Sequence, residues 1–121
     1  MITADQLYAR AKQLETENDE VIQRECLKIA YYAVLHKIQE TCEQQNIPLA
    51  ERLHSGTHEH FIDRINQSYS GKLIANMARV MKRIRIKADY ALNENISQDE
   101  IEKQLKLANE CWYRLTTFTP S

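Results

Sequence analysis

Glycine and proline are almost missing from this chain, two of each in 121 residues. Hairpins and tight turns draw on those residues, so their scarcity speaks against an all-β fold. Cysteine is sparse as well. Cys26, Cys42 and Cys111 are odd in number, widely spaced and form no CxxC, which argues for buried reduced thiols over a disulfide or zinc framework. No apolar run is long enough to cross a bilayer, and Met1-Ile2-Thr3-Ala4-Asp5 lacks the pattern of a signal peptide. The expected setting is cytoplasmic, without membrane. Neither sign of charge dominates: sixteen basic and seventeen acidic side chains give no global attraction to nucleic acid. Any such attraction has to come from local clustering. A P-loop, a dinucleotide glycine fingerprint, a Ser-His-Asp order and paired catalytic carboxylates are all absent, and no cofactor is expected.

What is present is helical periodicity. The length fits one domain, residues 1–121, large enough to bury a core unaided. Thr3-Ala4-Asp5-Gln6 has the form of a capping box and opens a helix to about Glu15, with Leu7, Ala11 and Leu14 inward. Asn18 or Asp19 caps a second helix running to about Gln45, which Pro48 stops. Its apolar residues, from Val21 to Ile38, cover too much of the circumference for a surface helix, so it reads as the centre of a bundle. A loop over 48–57 follows, with Gly56 as its flexible point. Ser55 or Thr57 begins a short helix bearing Phe61, Ile62 and Ile65, closed by Ser68 to Gly71. The fourth helix spans about Lys72 to Leu92, with Leu73, Met77, Val80, Met81, Ile84 and Ala88 at helical spacing. Ser97-Gln98-Asp99-Glu100 is a second capping box, opening a fifth helix with Ile101, Leu105, Ala108 and Trp112 inward. The expected fold is an all-α, five-helix bundle.

Two stretches stand out from helical filler. Ala30-Tyr31-Tyr32-Ala33-Val34-Leu35-His36 sets two tyrosines and a histidine in an apolar run, and Arg85-Ile86-Lys87-Ala88-Asp89-Tyr90 sets Arg85 and Asp89 on one helix face. Buried polar groups are costly unless paired or used, so the two stretches could face each other across the core, either as a polar network or as a site. Arg85 and Asp89, at the edge of the fourth helix's apolar stripe, read as a structural ion pair or as a phosphate-binding arginine oriented by its carboxylate. Tyr32, Asp89 and Tyr90 complete a polar network, with Tyr90 towards the polar side. Lys28, Tyr32 and His36 share a face at intervals of four. His36 is the acid–base candidate there, against its blander role as a satisfied core histidine. His54, His58 and His60 surround Gly56, but with no cysteine nearby they read as a solvated loop, and no metal is expected. Arg79, Lys82, Arg83 and Lys87 lie opposite the core stripe, joined by Lys72, and no acid interrupts them before Asp89. Such a run suits RNA backbone, nucleotide phosphate or an acidic partner.

Taken together, these pieces resemble a known family. The Arg24…Ala30-Tyr31-Tyr32-Ala33…His36 helix is similar to the "R-x-aYYA-x-fH" helix of small prokaryotic HEPN-domain proteins. Thr57-His58 before Phe61, Arg85 to Tyr90, and Ile96-Ser97 followed by Ala108-Asn109-Glu110 resemble that family's "S-H-x-x-v-i-x-x-F", "R-x-x-a-D-Y" and "i-s-x-e-x-A" segments, in the same order. The resemblance implies a helical bundle that often dimerises, associated with RNA cleavage, toxin–antitoxin modules and partner nucleotidyltransferases. Ribonucleases of the family carry an Arg followed after four to six residues by a His. Here no His follows Arg85 within reach, and Asp89-Tyr90 stand there instead; Arg52 and His58 have the spacing but lie in the loop and at the start of the short helix. The expected function is therefore RNA or nucleotide binding in a toxin–antitoxin or defence module, without catalysis. A metal-independent ribonuclease using Arg85, His36 or His58 is one alternative, and a module pairing with a nucleotidyltransferase or antitoxin is another. A homodimer is expected, partly from the resemblance and partly because Tyr90 and Trp112 suggest apolar surface left for a partner.

Overall fold

A computed structural model describes residues 1–50 and 57–120, with the backbone alone at Thr57 and His58. Its five helices are α1 (Ala4–Leu14), α2 (Glu20–Gln44), α3 (Thr57–Asn66), α4 (Tyr69–Tyr90) and α5 (Gln98–Thr116), and the described residues contain no strand. They form an all-α bundle. Both expected capping boxes are made, Thr3 with Gln6 and Ser97 with Glu100. At the start of α2 it is Asp19 that accepts from the amides of Val21 and Ile22. Past the end of α2, Asn46 takes a φ of 54°, the left-handed conformation that closes helices, and the Ile47 amide reaches back to the Cys42 carbonyl at 3.0 Å. The loop centred on Gly56, with Arg52 and His54, lies outside the described residues.

α2 is central, as its all-round apolar pattern requires, and packs against each of the other helices. Leu27, Ala30, Tyr31, Val34, Leu35 and Ile38 are buried along it. They meet Ile62 and Ile65 of α3, Ile74, Ala78 and Met81 of α4, and Ile101, Leu105 and Ala108 of α5 in one continuous core.

α4 starts earlier than its sequence pattern implies. Ser68 to Gly71 does not close α3; Ser68 caps α4, accepting from the Gly71 amide at 3.0 Å. Gly71 is needed for space, not for a turn. A Cβ there would stand 1.8 Å from the Ile65 carbonyl oxygen, so only glycine lets α3 and α4 meet so closely. The other end of α4 is closed from α2. The buried Arg24 guanidinium donates to the carbonyls of Lys87, Ala88, Ala91 and Glu94 and pairs with Glu20. One planar fork thus gathers carbonyls from the last turn of α4 and from the turn beyond it, and so fixes the path towards α5.

Candidate functional site

The two distinctive stretches do meet. The Arg85 guanidinium lies over the rings of Tyr31 and Tyr32, 5.5 and 5.9 Å from their centroids. Its Nη1 donates to Asp89 Oδ2 at 2.9 Å, and Lys28 Nζ approaches Asp89 Oδ1 at 3.4 Å. Arg85 is not at the edge of the apolar stripe but within it, between the turns of Met81 and Ala88, with its side chain only 11% exposed and that of Asp89 16%. Burial pulls the Arg85 pKa down, but Asp89 and the two tyrosines outweigh it and hold the cation above its usual range. Lys28 is likewise raised, by Glu25 first and Asp89 second, against a smaller opposing effect of burial. Tyr31 is pushed up by burial, with Arg85 opposing and Glu59 and Tyr32 adding, so its phenol stays neutral. Arg85 Nε is buried without a hydrogen-bond partner among the described residues.

The basic row of α4 is largely spent inside the molecule. Arg79 reaches Asp63 at 3.5 Å and Glu59 at 4.0 Å, and Lys82 meets Glu59 at 2.8 Å. Glu59 and Asp63 stand one turn apart on α3, the helix that packs along this side of α4. Lys87 is taken from the other flank by Glu100 of α5, at 2.9 Å. Burial alone would raise the Glu100 pKa, but Lys87 and the Ser97 amide and hydroxyl overcome it and hold the carboxylate below its usual range. Of the four candidate nucleic-acid contacts only Arg83 is exposed, the other three being half-buried, and Lys72 is exposed as well. Neither has an ion-pair partner among the described residues. The acid-free run in sequence therefore does not become an open positive face: the countercharges come from other helices.

The remaining candidates fall elsewhere. His36 does not join Tyr32 and Arg85. Eight residues on from Lys28, which faces Asp89, the helix has turned about 80° past two full turns, and His36 lies on the surface, lining a groove with Leu7, Gln39, Glu40 and Glu43. The side chain of His58 lies outside the described residues. Tyr90 is 76% exposed and takes no part in the network of Tyr32, Arg85 and Asp89. Trp112 is not left over for a partner: it stacks on Tyr8 with centroids 4.2 Å apart, and Lys12 and Lys37 cap the two outer faces. No group of metal-ligating side chains occurs among the described residues. The three cysteines are buried and reduced, their thiols pushed by burial to about 11 at Cys26 and Cys42 and about 12 at Cys111, far from nucleophilic use. No helix among the described residues is long and apolar enough to cross a membrane.

Sequence reasoning passed over Gln104. Its amide, fully buried on α5, donates to the carbonyls of Leu27 and Met81 at 3.1 Å each, tying three helices at one point. A glutamine at an apolar position of α5 was the available signal.

Compared with known proteins, the chain matches no family model, no curated protein and no solved structure.

Proposed function

We propose that this chain is a HEPN-like protein that binds single-stranded RNA or nucleotide through the outward face of α4 and does not cleave it. One observation carries the reading. On that face the exposed cations Lys72 and Arg83, without an ion-pair partner among the described residues, lie between the exposed rings of Tyr69 and Tyr90. Cations for phosphate flanked by aromatic platforms for bases are the chemistry of single-strand binding. The site differs from the sequence expectation, since Arg79, Lys82 and Lys87 answer carboxylates of α3 and α5. The placement of His36 and Arg85 on different sides of the bundle, with Tyr31 held neutral, supports the non-catalytic reading. A toxin–antitoxin or defence setting comes with the family likeness.

Fluorescence anisotropy with a labelled single-stranded RNA tests this. The double variant Lys72→Ser/Arg83→Ser should weaken binding by roughly tenfold or more, about the loss of two phosphate contacts at low salt. The neutral exchange Lys87→Gln/Glu100→Gln should leave it unchanged, because that pair is already satisfied. Equal affinity in the first variant and wild type removes the face from consideration.

A second reading has its own support. Ile86, Tyr90 and Leu92 are exposed around the end of α4 and Leu73 near its start, and apolar side chains in that number also suit a protein partner, such as a nucleotidyltransferase, an antitoxin or a second copy of the chain. Failure of RNA binding together with co-purification of a co-expressed neighbour, lost on Tyr90→Ser/Ile86→Ser, would favour it.

A further inference from the structure

Where α4 begins and α5 ends, two hollows adjoin and share Ser70 and Arg114. The larger, about 320 Å³, is lined by Tyr69, Lys72, Leu73 and Asn76 besides those two, and the smaller, about 180 Å³, extends along Tyr113 to Thr119. Together they reach the size at which small-ligand clefts begin. Among the described residues no Asp or Glu lines either hollow, although the chain carries seventeen acids. The larger groove beside α1 has the opposite character, with Glu40 and Glu43 on its wall and no lysine or arginine.

Each wall group is prepared for a ligand. Arg114 is held by Nε to Glu110 at 2.8 Å, which orients the guanidinium while its terminal nitrogens have no partner among the described residues. Lys72 stands exposed one turn into α4, on the same hollow. Tyr69 is 83% exposed and Tyr113 69%, so both rings offer open faces. Ser70 donates to the Thr119 carbonyl at 2.9 Å and pins the chain's last described segment against the wall. The Asn76 amide supplies both a donor and an acceptor in the same hollow.

We propose that this cleft is a nucleotide site: the phosphate sits between Lys72 and Arg114, the base stacks on Tyr69, and the Asn76 amide donates to a phosphate oxygen from the other side. The smaller hollow, with Tyr113, would take an adjoining nucleotide. The assignment rests on the nucleotide-binding reading above and names the place where that binding is anchored. Free nucleotide and the end of an RNA strand share this chemistry, and a titration separates them.

Amide chemical shifts of the isotopically labelled protein should be followed during addition of adenosine monophosphate, adenosine, inorganic phosphate and a short adenine oligonucleotide. Adenosine monophosphate should move the amides of Tyr69 to Asn76 and of Arg114, and should bind more tightly than adenosine or phosphate alone. The oligonucleotide should add shifts at Tyr113 and bind tighter still if the site serves RNA; equal affinity marks a site for free nucleotide. Tyr69→Ser, at a fully exposed ring, should weaken binding roughly tenfold, the scale of one base stack, and Lys72→Gln/Arg114→Gln should abolish it. Shifts that map to Arg83 and Tyr90 alone would overturn the cleft and leave RNA binding standing. No shift with any of the four compounds would overturn both. Phosphate binding as tightly as the nucleotide would overturn the role of Tyr69 and with it the ligand class.

Discussion

Arg85 shows how a residue can be read correctly in kind and wrongly in place. Its pairing with Asp89 follows from their spacing, and so does its meeting with the tyrosines of α2. Its depth does not, because a hydropathy pattern assigns a guanidinium to the surface. The cation–π contacts and the carboxylate compensate its burial, and together they make it a member of the core. Arg85→Ala should therefore destabilise the fold by about 2 kcal/mol in urea denaturation, short of the full cost of stranding a buried charge because Lys28 still faces Asp89. A loss below about 0.5 kcal/mol, typical of surface changes, would show the pair to be dispensable. Glu100 gives a pH dependence of stated sign. Its folded pKa is lowered, so its contribution is present above the ordinary carboxylate range and disappears as pH falls through the lowered value. The stability advantage of wild type over Glu100→Gln should thus be full at pH 7 and fade below about pH 4.3. An advantage that grows on acidification would contradict the Lys87–Glu100 pair.

At the scale of helices, all five were legible, and so were both capping boxes, since a Ser or Thr followed by Glu or Gln three residues on is a local signal. The start of α4 was not. Ser-Tyr-Ser-Gly reads as a helix end because glycine usually marks one, whereas Gly71 lies inside α4 for lack of room beside Ile65. That distinction is a fact of packing, invisible to local sequence. It reverses the ordinary expectation that Gly→Ala within a helix stabilises by about 1 kcal/mol. Gly71→Ala should lower stability by about 2 kcal/mol or more, as overpacked cores do, and a thermal midpoint equal to or above wild type would be the contrary result. The basic row of α4 failed at the same scale. Within the helix no acid interrupts it, but Glu59, Asp63 and Glu100 arrive from α3 and α5. Only the topology brings them there.

For the molecule as a whole, charge pairing inside the bundle decides where function can sit. A chain of net charge −1 has no general affinity for polyanions. Its α4 cations are mostly consumed by the bundle, and the exceptions, Lys72 and Arg83, lie among exposed tyrosines. The bundle class was written in helical periodicity and in the shortage of turn residues; the site was not, because it depends on which cations remain after folding. The salt dependence of RNA affinity reads that remainder directly. With single-stranded RNA, log affinity against log salt should be linear, and its slope should become shallower by about 1.4 in Lys72→Ser/Arg83→Ser, two contacts at about 0.7 each. The slope should be unaltered in Lys87→Gln/Glu100→Gln. A wild-type chain with no affinity at low salt, or a slope that the first pair of substitutions leaves unmoved, would contradict the assignment of this face.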